Sequence, residues 1–151
     1  FVNAYQALLW NETMVTLLNE LKVSVRTLRY SHGELAFYDS LIPADHAFLR
    51  RLIIPAAAPK AVFSSERVAR ASAKVLAREG LDLNRLKLRL RIKGLFFKPY
   101  LRQALLEPRR LVVTEPEPDE FYPGRVRLGL SFFLPAGSYA TIVIKRLSMA
   151  T

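Results

Sequence analysis

Apolar residues recur at Val2, Tyr5, Leu8, Leu9, Met14, Val15, Leu17, Leu18 and Leu21, and that rhythm predicts an amphipathic helix over the first 21 residues. Asn3 is the one plausible cap near its start. The helical pattern begins with no lead-in and no initiator methionine, so we expect a piece of a longer protein. Lys22 to Tyr30 is rich in β-formers and predicts a strand. Ser31-His32-Gly33-Glu34 marks a turn, and Leu35 to Tyr38 a short return strand. Asp45 to Leu52 suits a short helix, and Ile53 to Pro59 a proline-bounded connector. A second long helix is expected from Ser64 or Ser65 to about Glu79, stopped by Gly80. Asp82 then suits the cap of a short helical turn.

From Arg85 the period changes. Arg85, Lys87, Arg89, Arg91, Lys93 and Lys98 alternate at first with Leu86, Leu88, Leu90 and Ile92, predicting a strand with one cationic face. Phe96, Phe97 and Tyr100 follow it. Cations beside exposed aromatics hold phosphates and stack on bases; a solvated strand face beside core aromatics reads equally well. Leu111 to Thr114 predicts a strand, and Glu115 to Glu120, acidic and proline-rich, a surface loop. After a turn at Tyr122 to Arg125, the stretch Arg125 to Leu134 alternates and then becomes wholly apolar, so its end is expected to be buried on both faces. Pro135-Ala136-Gly137 ends that strand. Ser138 is the expected N-cap of a last helix from Tyr139 to about Leu147, with Tyr139, Ile142, Val143 and Leu147 on one face and Lys145 and Arg146 in its last turn. The fold class is α+β, with a largely antiparallel sheet and two to four helices.

Composition adds constraints. With 51% apolar and 11% aromatic residues, the 151-residue chain can bury a core. No apolar run reaches the ~20 residues of a membrane helix. There is no cysteine, and His32 and His46 are the only histidines, so cysteine chemistry and a three-histidine metal site are ruled out within this chain. An intracellular, cytoplasmic protein is the simplest expectation. The 23 Lys and Arg against 13 Asp and Glu give a net charge of +10, which attracts polyanions and makes nucleic acid the first partner to consider.

Two segments resemble a known family. Leu130-Ser131-Phe132-Phe133-Leu134-Pro135-Ala136-Gly137-Ser138-Tyr139-Ala140-Thr141-Ile142-Val143-Ile144-Lys145-Arg146-Leu147 is similar to the C-terminal signature of TruD-type pseudouridine synthases: an apolar strand, Leu-Pro-x-Gly-Ser-(Tyr/Phe)-Ala-Thr, then a helix. Where that family usually has Arg-Glu near the end of the helix, this chain has Lys145-Arg146. Ala4-Tyr5-Gln6-Ala7-Leu8-Leu9-Trp10-Asn11 resembles the family's Ala-Tyr-Gln-Ser helix, with Ala7 in place of the usual serine. The stretch from Arg102 through Leu105, Leu106 and Pro108 resembles it weakly.

The resemblance implies isomerisation of a uridine in tRNA to pseudouridine, without cofactor or metal, by a buried aspartate acting on a flipped nucleotide. In relatives that aspartate lies in a Gly-x-Lys-Asp-type motif upstream of the Ala-Tyr-Gln helix. An aromatic-bearing Asn-x-x-x-x-x-Gln-Arg-x-Gly-type motif is upstream too. Neither motif occurs here, and Asp39, Asp45, Asp82 and Asp119 occupy turn, cap or loop contexts, so no catalytic residue is assigned to this chain. The expected partners are tRNA and the missing N-terminal catalytic portion, with no membrane. The expected division is residues 1–21 as a boundary helix, 22–110 as an inserted domain, and 111–151 returning to the catalytic sheet. Gly137, Ser138, Tyr139, Thr141, Lys145 and Arg146 are candidates for one wall of the active cleft. Each also has a plain structural reading as turn, cap, core or solvated helix end. Arg85, Lys87, Arg89, Arg91, Lys93, Lys98 and Arg102 are candidates for phosphate contacts. A noncatalytic basic RNA-binding or ribosome-associated module is the alternative. A structural protein with an acidic partner, or a hydrolase lacking any Gly-x-Ser-x-Gly elbow, fits less well.

Overall fold

The computed structural model describes residues 2–30, 33–86 and 96–149. Along the chain these form α1 (Val2–Glu20), β1 (Val25–Tyr30), β2 (Gly33–Tyr38), α2 (Pro43–Arg51), β3 (Ile53–Pro55), α3 (Glu66–Arg78), a 3-10 turn (Leu83–Arg85), β4 (Leu101–Gln103), β5 (Arg109–Val113), β6 (Glu117–Pro118), β7 (Val126–Arg127), β8 (Leu130–Phe133) and α4 (Ala140–Ser148). The strands pair as four separate antiparallel ladders, β1–β2, β3–β4, β5–β8 and β6–β7. The α+β expectation holds. The chain divides into two compact units, Phe1–Leu105 and Leu106–Thr151.

The first unit is organised on α1. No glycine or proline interrupts residues 2–20, and the helix ends in a Schellman arrangement. Lys22 N–H donates to the Asn19 carbonyl and Val23 N–H to the Leu18 carbonyl, 3.0 and 3.1 Å. Lys22, not a glycine, takes the left-handed conformation there, with φ 55°. Helix α3 ends the same way at Gly80 (φ 66°), with Leu81 N–H donating to the Leu76 carbonyl at 2.8 Å. Leu81 and Leu76 join one apolar cluster, the side-chain contact that usually accompanies this motif. Pro43 in the first turn of α2, with Asp45 early and Arg50 and Arg51 late, suits its dipole.

Helix α1 packs against both α3 and β2. Trp10, Met14, Leu17 and Leu18 join Leu49, Leu52, Ile54, Val68, Ala71 and Leu105 in the larger core. Leu9 joins Ala57, Val75, Leu76 and Leu86 in the smaller. The apolar rhythm of α1 therefore feeds two clusters. It also misses buried polar positions, because Gln6, Thr13 and Thr16 are buried too. Thr13 Oγ1 satisfies itself on the Leu9 carbonyl at 2.8 Å. Gln6, wholly buried, donates through Nε2 to the carbonyls of Ala57 (2.8 Å) and Lys98 (3.0 Å). The proline-bounded connector after α2 is partly a strand. Ile53–Pro55 pairs with Leu101–Gln103, and Ala56 N–H to the Tyr100 carbonyl and Ala104 N–H to the Leu52 carbonyl extend the ladder at both ends.

The second unit corrects three expectations. The run from Arg125 to Leu134 is two strands, interrupted before Gly129. Gly129 N–H donates to Thr114 Oγ1 at 2.8 Å, and a Cβ on Gly129 would lie 2.9 Å from Thr114 Cγ2, so any side chain at this crossing would have to displace that of Thr114. The end of the run is not buried on both faces: Ser131 is exposed, Phe133 is 63% exposed and Leu130, Phe132 and Leu134 are half-buried, and Val143 is the sole buried residue in the unit among those described. One nine-residue helix is too little to cover both faces of a ladder. The acidic segment 115–120 is not all loop, since Glu117–Pro118 pairs with Val126–Arg127. Its carboxylates hold Arg127: Glu117 at 2.8 Å and Glu120 at 3.2 Å.

Gln6→Leu should lower stability by about 1–3 kcal/mol in urea unfolding, because two carbonyls lose their donor inside the fold, a cost partly offset by removing the buried Oε1 that accepts no hydrogen bond among the described residues. A loss under about 0.5 kcal/mol, the usual range for an inconsequential surface change, would refute the clasp. A second expectation concerns pH. Burial, then the hydrogen bond to Glu79 (3.0 Å), then the charge of Glu79 raise the Tyr5 phenol above its ordinary 10.0. The folded value exceeds the unfolded one, so this stabilisation is complete below pH 10 and drains as pH rises through the folded value. Tyr5→Phe should therefore flatten the alkaline decline in stability, read as unfolding midpoints across that range.

Candidate functional site

The segment carrying the family-like motif joins β8 to α4. Ser138 N–H donates to the Pro135 carbonyl at 3.2 Å, closing a turn over Pro135 to Ser138. Gly137 takes φ +81° within it, and a Cβ there would meet nothing within 4 Å. The position requires glycine for its left-handed backbone and not, as a close approach would, for space.

Ser138 is not the N-cap. Helix α4 begins at Ala140, its cap is Tyr139 in extended conformation, and no side chain bonds the first turn. The helix starts one residue late because Tyr139 is still extended, with φ −117° and ψ 120°. The half-buried Ser138 hydroxyl is therefore released from the capping role. Tyr139 is 54% exposed, so it is not core. Thr141 is exposed in the first turn, while Lys145 and Arg146 are half-buried in the last. The six residues thus lie on one turn and the helix it launches, with Tyr139 and Thr141 open to solvent. The apolar face expected on α4 is only partly enclosed. Val143 is buried and Ile142 half-buried, but Tyr139 and Leu147 are exposed.

The cationic candidates belong to the first unit. Arg85 ends the 3-10 turn, where Asp82 Oδ1 accepts from Arg85 N–H at 3.0 Å, as expected of that cap. Its guanidinium also pairs with Asp82 at 3.1 Å while 75% exposed, a contact water screens. Lys87, Arg89, Arg91 and Lys93, with most of the expected cationic strand, lie outside the described residues. Lys98 is exposed, and its carbonyl is fixed by Gln6. Phe96 is exposed nearby in sequence, whereas Phe97 is half-buried edge-on to Tyr5 with ring centroids 6.5 Å apart. Arg102 is half-buried, its guanidinium 4.2 Å from the centre of the Trp10 ring. That stacking gives Arg102 a structural occupation.

Beyond the expected cations, Arg67, Arg70, Lys74 and Arg78 recur at three- and four-residue spacing and are all exposed on α3. That spacing is the sequence signal for one face of a helix. Asp39 and Asp119 have structural partners: Asp39 pairs with Arg26 at 2.6 Å, and Asp119 accepts from the N–H groups of Phe121 and Tyr122. Asp82 is spent as a cap and Asp45 sits in the first turn of α2.

Comparison with known proteins agrees with the motif at both ends. Residues 1–147 match the model of the family described as tRNA pseudouridine synthase D (TruD). A probable tRNA pseudouridine synthase D 2 of Methanocaldococcus jannaschii is 34% identical over 148 residues, covering 97% of this chain and 34% of the relative. The tRNA pseudouridine synthase D of Aquifex aeolicus is 31% identical over 153 residues, covering 97% of this chain and 36% of the relative. A probable tRNA pseudouridine synthase D 1 of Methanococcus maripaludis is 27% identical, with 97% and 37% covered. The chain therefore spans about a third of the length of these relatives. With nearly its whole length matched by one family model, the chain belongs to the TruD family of tRNA pseudouridine synthases.

Proposed function

We propose that this chain is the C-terminal part of an enzyme that isomerises uridine to pseudouridine in tRNA, and that it contributes one wall of the active cleft and part of the RNA grip. The observation that carries this reading is the second unit. Its ladder β5–β8 leaves Leu111, Val112, Val113 and Phe133 exposed, and α4 leaves Ile144 and Leu147 exposed, beside the Leu134-Pro135-Ala136-Gly137-Ser138-Tyr139-Ala140-Thr141 segment. Neither β5 nor β8 has a second described strand beside it. Open strand edges and uncovered apolar faces are what a sheet presents when further strands and a second layer complete it. The relatives' length leaves about two-thirds of a synthase to supply them.

In this reading the nucleophilic aspartate comes from the upstream portion. Gly137 sets the turn, and Tyr139 and Thr141 face the flipped nucleotide. Lys145 or Arg146 neutralises that aspartate or a substrate phosphate. Residues 22–110 form the inserted domain, where Lys98 and Arg85 with their neighbours contact phosphates. No cofactor takes part, and the reaction runs in the cytoplasm.

The full-length protein should form pseudouridine in tRNA, detected by mass spectrometry after carbodiimide labelling, while residues 1–151 alone should form none. A full-length protein that binds tRNA but makes no pseudouridine would leave the noncatalytic RNA-binding alternative standing. Phe133→Asp should change the stability of residues 1–151 by no more than about 1 kcal/mol, the scale of a strand-propensity change plus the exposed contact of its ring with Arg110. In the full-length enzyme it should cost several times more, because the same position would then be covered. Equal effects in the two would remove the argument from exposed surface.

A further inference from the structure

Helix α3 buries Val68, Ala71, Ser72, Val75 and Leu76. At about 100° per residue, Arg67, Arg70, Lys74 and Arg78 fall within about 80° of arc beside that buried stripe and span about 16 Å along the axis. All four are exposed. Two are engaged by carboxylates: Arg70 with Glu66 at 2.7 Å, and Lys74 with Glu20. No carboxylate among the described residues pairs with Arg67 or Arg78. Folding accounts for only part of this stripe: Arg78 in the last turn suits the helix dipole, and Lys74 ties α3 to α1 through Glu20. Arg67 sits in the first turn, where a cation opposes the helix dipole. The exposed Arg70–Glu66 pair is weak enough to exchange its carboxylate for another anion.

We propose that this face of α3 is a contact surface for the sugar-phosphate backbone of double-helical RNA, such as a helical arm of the substrate. The inference rests on the tRNA reading above and adds to it a surface and a class of RNA structure. Double-helical RNA is favoured over unpaired RNA by what the face lacks. Its exposed residues are Glu66, Arg67, Arg70, Ala73, Lys74, Ala77 and Arg78, with no aromatic ring to stack on a base. Proteins that hold single strands combine cations with such rings. Double-stranded RNA is held by its shape and its backbone. A straight row of cations on a rigid helix positions a duplex without reading its sequence.

The test uses the full-length protein and measures binding to a blunt RNA duplex and to poly(U) across a salt series. For Arg67→Ala/Arg78→Ala, the slope of log K against log salt on the duplex should fall by about 2, near one for each lost phosphate contact. The slope on poly(U) should not change. Arg67→Lys/Arg78→Lys should restore the duplex slope, since a point charge releases counterions as well as a fork does. Arg29→Ala/Lys60→Ala, which removes equal charge elsewhere, should leave it alone. An unchanged duplex slope, an equal loss on both RNAs, or an equal loss in the control variant would overturn the proposal. Pseudouridine formation by the unsubstituted protein separates the two ideas. Its absence sinks the enzymatic reading, while its presence with an unchanged duplex slope sinks the α3 surface alone.

Discussion

The Gln6 amide, buried in α1, holds the first unit at a point where three segments meet. Its nitrogen donates to the carbonyl of Ala57 after β3 and to that of Lys98 before β4. One turn later Trp10 donates from its indole to the Ile54 carbonyl at 3.3 Å and carries the Arg102 guanidinium on its ring. The two side chains tie α1 to both strands of the β3–β4 pair and their flanks. A buried carbonyl without a donor costs about 1–3 kcal/mol, so these bonds weigh more by their loss than by their presence. Around them Leu9, Met14, Leu17 and Leu18 complete the apolar packing on α3 and the connector. The polar contacts fix register, and the apolar ones supply most of the driving force.

The second unit is built on the opposite principle. Its backbone is well specified: the Gly129–Thr114 crossing, the Asp119 turn, the Arg127 ion pairs and the left-handed Gly137 each set a local geometry. Its side chains bury little. A unit with strong turns and a weak core holds its geometry mainly through backbone and turn contacts. The family-like motif lies in this unit, at the β8–α4 connection.

Cations have divided roles. Arg26 and Arg127 are held by carboxylates and Arg102 by an aromatic ring, so a count of positive charge overstates the basic surface open to a partner. Arg67 and Arg78 lie on a helix whose packing does not use them.

What the sequence determined by itself was local. The 3.6-residue rhythm marked α1, the serines before α3 and its Gly80 stop bounded the second helix, the Asp82 cap was legible, and the β1–β2 hairpin followed from its turn residues. The ordered residues from Leu130 to Leu147 and the Ala4–Asn11 segment carried the family. These signals rest on backbone preferences over a few neighbours, or on long runs of residue identity. Tertiary structure decided the rest. Gln6 as a buried donor, the β3–β4 pairing across some 50 residues, Tyr139 as cap in place of Ser138, and Arg102 on Trp10 depend on partners remote in sequence or on a single backbone angle. The apolar end at Leu130 to Leu134 looked like core because hydrophobicity records a demand for burial. Whether that demand is met depends on which surface lies opposite, and no local pattern contains that surface.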